Sequence, residues 1–403
     1  MRSPFYKVHL GDVDITDKVE RFVLEDSAKE DNYLNITVKS DFAKELADDD
    51  TLQTGKIITA QFGFLGLSIS PVHQCRVTDI VTKYRERVTL DIKCLDLGTT
   101  VKKVTSDKIW EDKTSLEIAE EIADKYGLSV ISDNPSKKWK HLPQGHRSDL
   151  TFLKYIADRE EGGNWIVYIR NENLYFVKRA TDKASTVTYT YGIDDSIISF
   201  EPTVKESSDS GASHDVKVAT SDPSSLSSPK DISKVSINNK TETSTGTTGE
   251  WKRVYDANGN FQKTIKEAAK PSKTVSTPAN TDKGEAANLG NSIKKTNTLK
   301  QVVAKLLTNG DPLAEPNTII TMANVAKRHS GNWLVTKVTH DISASGYTTA
   351  RELSKNGSKE KTSKDKTGAD KAKDANTTVG KNSGTVKQKT KVRTYDANGK
   401  ELK

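Results

Sequence analysis

Along the first hundred residues apolar and polar side chains alternate. Leu34, Ile36 and Val38 are separated by Asn35, Thr37 and Lys39; Val88, Leu90, Ile92 and Cys94 are separated by Thr89, Asp91 and Lys93. A period of two buries one face of a strand and wets the other, as in an antiparallel barrel or sandwich. Gly11-Asp12 and Asp48-Asp49-Asp50 punctuate these strands as turn or loop material. From Thr114 the period lengthens. Thr114-Ser-Leu-Glu117 has the form of a capping box, and Ala119, Ile122, Ala123 and Tyr126 then share one helical face, with Gly127 as the stop. A second helix starts at Ser148 or Asp149, buries Phe152, Leu153, Ile156 and Ala157, and ends at Gly162-Gly163. A hairpin follows, residues 165–169 and 174–177, across Asn171-Glu-Asn173. Further on, Ala286, Leu289, Ile293, Val303 and Leu307 predict another helix, weakened by Gly290. Strands are expected at residues 318–322 and 333–340.

Between these patterned stretches lie two that have none. Residues 206–250 contain no aromatic residue and are rich in Ser, Thr, Lys and Asp. Such a segment cannot bury enough apolar area to offset its ordering entropy. It predicts a flexible insertion with a short strand at Val216-Lys-Val218. The last fifty residues are again low-complexity.

The formal net charge of +7 suggests nucleic acid until it is located. Residues 355–403 carry 14 Lys and Arg against 6 Asp and Glu, so the tail holds the excess and the remaining chain is near neutral. A solvated basic tail is the reading this favours. With 403 residues, 33% of them hydrophobic, two or three domains are expected. No apolar run is long enough to cross a membrane, and the first residues lack the apolar core of a secretion signal. Cys75 and Cys94 flank an expected hairpin turning near Tyr84-Arg85, which sets them roughly opposite each other, as reduced, half-buried core thiols or, as the lesser alternative, a cross-strand disulfide.

One motif occurs twice. Tyr255-Asp256-Ala257-Asn258-Gly259 recurs as Tyr395-Asp396-Ala397-Asn398-Gly399. Asn-Gly favours a two-residue hairpin turn. Each copy is either a hairpin that docks on a partner, by strand addition for example, or a duplicated linker.

The chemistry-bearing residues do not assemble into a catalytic constellation. The seven histidines lack zinc-ligand spacing, neither cysteine lies in a C-x-x-C pair, and no phosphate loop or nucleophile elbow is present. Glu160 and Glu161 are the nearest approach to a carboxylate pair. Adjacent helical positions diverge by about 100°, so a charged helix end is the expectation. Asp48-Asp49-Asp50 lacks the spacing of a calcium loop. The chain is therefore expected to be no enzyme, with no cofactor and no metal.

Several stretches resemble the late-control protein D family of contractile phage tails, relatives of the hub part of VgrG proteins. They are the run from Ser148-Asp149 through Phe152-Leu153 and Ile156-Ala157 to Glu161-Gly162; the hairpin ending Leu174-Tyr-Phe-Val177; Gly310-Asp-Pro-Leu; and the run from Gly331-Asn-Trp333 to Gly346-Tyr347. The resemblance covers about residues 1–205 and 285–354. It implies an α+β, β-rich fold in which two tail-tube-type antiparallel β-barrels are joined by mixed α/β subdomains; the disordered insertion and tail expected from composition depart from the family's pattern. The boundaries would be 1–100 for the first barrel, 101–178 for the α/β part, and 179–220 with 285–354 for the second barrel. Residues 221–284 would be a flexible insertion and 355–403 a flexible Lys-rich tail.

The implied function is a structural baseplate hub of a contractile tail or injection system. As a homotrimer it would adapt a six-fold tail tube and its initiator proteins to a three-fold spike on a separate chain, with wedge and tape-measure proteins as further neighbours. Assembly would take place in a bacterial cytoplasm, without stable membrane insertion or nucleic-acid binding. The alternative is a tail-associated protein that binds or cleaves peptidoglycan.

Overall fold

The computed structural model describes residues 4–96, 98–205, 215–220, 233–237, 251–255, 261–266, 272–276, 283–355, 394–395 and 401–402. The chain forms two compact units, Met1–Gly357 and Ser358–Lys403.

The alternating N-terminal region is a sheet. Its strands are β1 (Phe5–Leu10), β2 (Val13–Asp14), β3 (Val19–Ser27), β4 (Tyr33–Val38), β5 (Ile57–Phe64), β6 (Ser68–Ile69), β7 (His73–Tyr84) and β8 (Val88–Asp96). Neighbours pair antiparallel in the order β3-β4-β8-β7-β5-β1-β2. The register places Leu34 opposite Cys94, Ile36 opposite Ile92 and Val38 opposite Leu90, so the two alternating patterns bury the same face. The sequence had not suggested helix α1 (Ser40–Ala47), whose Ala43 and Leu46 close this core. Asp49, beyond it, accepts a hydrogen bond from the Thr51 amide.

The cysteines are not opposite each other. Cys94 faces Val77 and Cys75 faces Asp96, because the hairpin turns at residues 85–87, later than expected; the bulge after Val77 recovers one residue of that offset. Both thiols are free and buried.

The α/β part holds α2 (Gly98–Lys103), β9 (Ile109–Thr114), α3 (Ser115–Lys125), β10 (Ser129–Ser132), β11 (Lys138–Pro143), α4 (Asp149–Ala157), β12 (Trp165–Arg170) and β13 (Asn173–Lys178). The capping box is formed on both sides: Thr114 accepts from the Glu117 amide and Glu117 accepts from the Thr114 amide. Ile118, Ala119, Ile122 and Ala123 meet Phe152, Leu153 and Ile156 in one apolar core. Helix α4 ends five residues before the glycines expected to stop it. The chain tightens there: the Arg159 amide bonds Ile156 and the Glu160 amide bonds Ala157. Between β12 and β13, Asn171 and Glu172 both have positive φ, the conformation of a two-residue type I′ turn.

Two strands, β14 (Val187–Thr190) and β15 (Ile197–Val204), open the next region. The stretch expected to be a flexible insertion carries strands among its described residues: β16 (Asp215–Thr220), β17 (Ser233–Ile237), β18 (Trp251–Tyr255), β19 (Phe261–Lys266) and β20 (Ser272–Ser276). β16 pairs with β17 and β20, and β18 with β19. β16 contains the short strand expected at Val216-Lys-Val218; Val235-Ser-Ile237 has the same alternation, which composition averaged over forty residues conceals. Helix α5 (Lys283–Leu299) then leads to β21 (Val302–Asn309), β22 (Ile319–Ala323), β23 (Gly331–Ser343) and β24 (Gly346–Lys355).

The helix expected through Val303 and Leu307 therefore stops at Leu299, and those two residues lie on β21. Its Ala304 and Leu306 alternate inward, a period of two rather than 3.6. In the second unit β25 (Thr394–Tyr395) pairs with β26 (Glu401–Leu402).

β23 joins the two sheet regions. It pairs antiparallel with β24 and β22 on its own side and with β3 across the seam, from Lys337–Ser27 to Ser343–Arg21. The hydrogen-bonded order β15-β21-β24-β23-β3-β4-β8-β7-β5-β1-β2 is thus continuous. On the second side Leu306, Met322, Trp333, Val335 and Val338 form their own core. Helix α5 lies so close to the turn after α4 that a Cβ on Gly163 would stand 2.2 Å from the Asn288 carbonyl oxygen.

Candidate functional site

The β3–β23 seam is held by charge as well as backbone pairing. Arg170, at the end of β12, donates from Nε to Asp26 on β3 at 2.8 Å and from Nη1 to Glu315 at 2.9 Å. Asp26 and Arg170 are both buried. Burial pushes the Asp26 carboxyl up, and the Arg170 guanidinium with His73 and His340 outweighs it, holding the group below its ordinary range. Beside this pair, Glu25 accepts from Lys337 at 2.5 Å and from the Tyr33 hydroxyl at 2.6 Å. Burial and Glu25 together push Tyr33 up to about 12. Asn32 Nδ2 donates to Asp96 at 3.1 Å and to the Ile169 carbonyl at 2.9 Å, tying the first sheet to the α/β part.

Two histidines complete the seam. Burial pushes His73 down to about 4 and His340 down to about 3. Each is neutral at physiological pH. His340 Nδ1 shares a 2.8 Å hydrogen bond with the Tyr347 hydroxyl, and the Phe62 ring packs against both imidazoles. Asp26, Arg170, His73 and His340 are buried, while Glu315 reaches the surface. Together they can fix the angle between two sheet regions.

Glu160 and Glu161 do not form a reactive pair. Glu160 is fully buried and is not the exposed helix end that the sequence suggested. Its Oε1 accepts from the Lys137 amide and its Oε2 from the Glu161 amide, so it caps backbone at the chain's turn. Asp48, Asp49 and Asp50 sit after α1, and no group of His, Cys, Asp and Glu among the described residues is arranged to hold a metal. Burial pushes Cys94 up to about 12 and Cys75 well above its ordinary value, so neither thiol is a nucleophile.

Several large apolar side chains are exposed, some in loops and others on strands. Leu65, Leu67, Ile69 and Val72 surround the β5–β6 turn, and Tyr191, Ile193 and Leu313 project from connections in the second sheet region. The Tyr347 ring lies with its centre 5.6 Å from that of Phe64, tilted by 32°, and presses on Gly310, which links the first loop to the second. β15 forms one end of the sheet, with Ile198 exposed and Pro202 in the strand. Proline is tolerated at a sheet edge because it has no amide to donate. The sequence showed none of these surfaces, since isolated apolar residues in turns have no period.

The two copies of the repeat have the same strand register. Tyr255 pairs with Phe261 and Tyr395 with Glu401, each six residues on. Residues 256–260 and 396–400, with Asp256, Asn258, Gly259, Asp396, Asn398 and Gly399, lie outside the described residues. No helix among the described residues is long and apolar enough to cross a membrane.

Among solved structures the chain is similar to the 43 kDa tail protein of prophage MuSo2 from Shewanella oneidensis. The TM-score is 0.64 at 13% identity, over 87% of this chain and 98% of that one. It is also similar to the tail protein from Neisseria meningitidis MC58, with a TM-score of 0.61 at 13% identity, over 88% and 97%. At such identity the likeness is one of fold. The fold expected from the hub-like motifs, β-rich with large antiparallel sheets and mixed α/β parts, is the fold found. None of the curated proteins matches the sequence. Residues 37–344 match the model of the Alg8 N-terminal domain, and because that match takes in most of the length, the chain belongs to that family.

Proposed function

We propose that this chain is a structural hub subunit in the baseplate of a contractile tail or injection system, acting as a trimeric adaptor between a six-fold tube and a three-fold spike. The observation that supports it most is the continuous sheet across β3 and β23. Two sheet regions, each with its own core, are locked side by side within one chain. Three such chains present six regions to the tube while keeping three-fold symmetry towards the spike. The boundaries near residues 100, 178 and 354 belong to the same reading, as does a non-catalytic role. Full-fold similarity to two tail proteins agrees with it.

The repeat enters this reading as two docking hairpins per chain. Tyr255, Asp256, Asn258 and Gly259 would form one, and Tyr395, Asp396, Asn398 and Gly399 the other. Replacing both Asn-Gly pairs by Ala-Ala should abolish retention of one tail component and leave the oligomer unchanged.

The deciding measurement is absolute mass by light scattering, on the chain alone and mixed with a spike protein. A mass near three times 44.4 kDa is expected. A monomer indifferent to tube and spike proteins, and pelleting with cell walls instead, overturns the proposal.

A further inference from the structure

A guanidinium taken out of water normally has a carboxylate or several acceptors around it. Arg179, which follows β13, does not. It is 8% exposed. Its Nη2 reaches only Thr296 Oγ1 on α5, at a long 3.4 Å, and its enclosed Nη1 has no partner. Among the described residues no ion pair reaches it. Asp158 is the acidic group it senses, and Asp158 Oδ1 already accepts from Ser292 at 2.6 Å.

Arg159 makes a partial contrast: its buried Nε also has no acceptor, but its guanidinium lies 3.5 Å from the centre of the Tyr155 ring and has that π-face as a partner. Arg179 has no such ring among the described residues.

More positive charge gathers at the same seam. Lys29, after β3, is pushed down by burial and by the charges of Arg179 and Lys300, with Glu30 and Glu352 acting in the opposite sense. Lys300 follows the C-terminus of α5. The carbonyl end of a helix attracts cations, which accounts for lysines collecting there. It does not account for an enclosed Nη1 without an acceptor. Asn164 adds a second orphan. Its Nδ2 is tied to the Arg179 carbonyl and to Thr181, while its buried Oδ1 has no donor.

We propose that the seam between β13 and α5 binds an anion, with Arg179 Nη1 donating to one oxygen of a phosphate or carboxylate group and Lys29 and Lys300 supplying the surrounding positive charge. A hydroxyl on a protonated oxyanion gives Asn164 Oδ1 its missing donor. The site does not depend on the hub reading. Charge-assisted hydrogen bonds of this kind are short and directional.

The test uses the full chain, unfolded thermally while inorganic phosphate, or glutarate in a second arm, is titrated at fixed ionic strength. The expected result is a saturable rise in Tm. Arg179→Met should weaken binding by about tenfold or more. Lys300→Gln should weaken it by a few-fold, as removal of an exposed charge does. A response to phosphate alone assigns free phosphate; a response to glutarate assigns a carboxylate such as a partner's acidic side chain. If Arg179→Met does not fold, Lys300→Gln, at an exposed position, and Lys29→Gln carry the comparison. Equal rises in wild type and all variants would be general salt exclusion. No saturable rise would mean that water completes Arg179. Either result overturns the proposal.

Discussion

Two ion pairs serve the seam between the sheet regions, and they use the same residue types. Arg170–Asp26 is sealed inside, and its guanidinium also holds Glu315. Arg21–Asp341 spans β3 and β23 at the rim with two hydrogen bonds, 2.9 and 2.6 Å, and the Arg21 side chain is 52% exposed. Geometry alone would rank the rim pair at least equal. Burial reverses the order, because an abandoned charge in the interior cannot turn to water.

Arg170→Met is the change that most severely tests that contrast. It leaves Asp26 enclosed without its cation and should cost about 3–5 kcal/mol in denaturant unfolding. Adding Asp26→Leu should recover much of that loss; a double variant as unstable as the single one would show that Arg170 acts by packing.

Acid probes the same enclosure. His73 and His340 are held below their ordinary value, so below about pH 6.5 the unfolded chain binds protons that the folded chain refuses. Stability is therefore full above that pH and falls as pH drops, by about 1.4 kcal/mol per pH unit for each histidine. The decline should continue to about pH 4 for His73 and about 3 for His340. Asp26, held low, adds its own loss as pH falls below about 3.9. His73→Gln should remove one proton's worth of slope between about pH 6.5 and 4; an unchanged slope would place the uptake elsewhere.

Thr114→Ala removes a cap remote from the seam and should cost about 1 kcal/mol. Arg21→Ala should cost about 0.2–1 kcal/mol and lose even that in high salt. A rim variant as damaging as Arg170→Met would break the comparison.

The same contrast explains what the sequence disclosed. Leu34, Ile36 and Val38 against Leu90, Ile92 and Cys94 are local patterns, and their pairing follows once both strands exist. Thr114 and Glu117 identify a helix start because the cap is complete within four residues. Arg170 and Asp26 are 144 residues apart, and nothing beside either one names the other. Val303 and Leu307 fit a helical spacing, but β21 lies between β15 and β24 and is drawn into their ladder. Glu160 read as a surface charge since its partners are backbone amides, which composition never shows. Of the candidate interface, only the repeat was visible in advance; the exposed Leu65, Leu67 and Leu313 become a surface only through the fold.

The placement of Cys75 and Cys94 has a practical consequence. These are the chain's two cysteines, and both face the core of the first sheet region. A thiol reagent therefore reads the opening of that region alone, while the α/β part and the second region stay silent. Modification rate followed over time becomes a built-in clock for the first sheet region, without adding a probe.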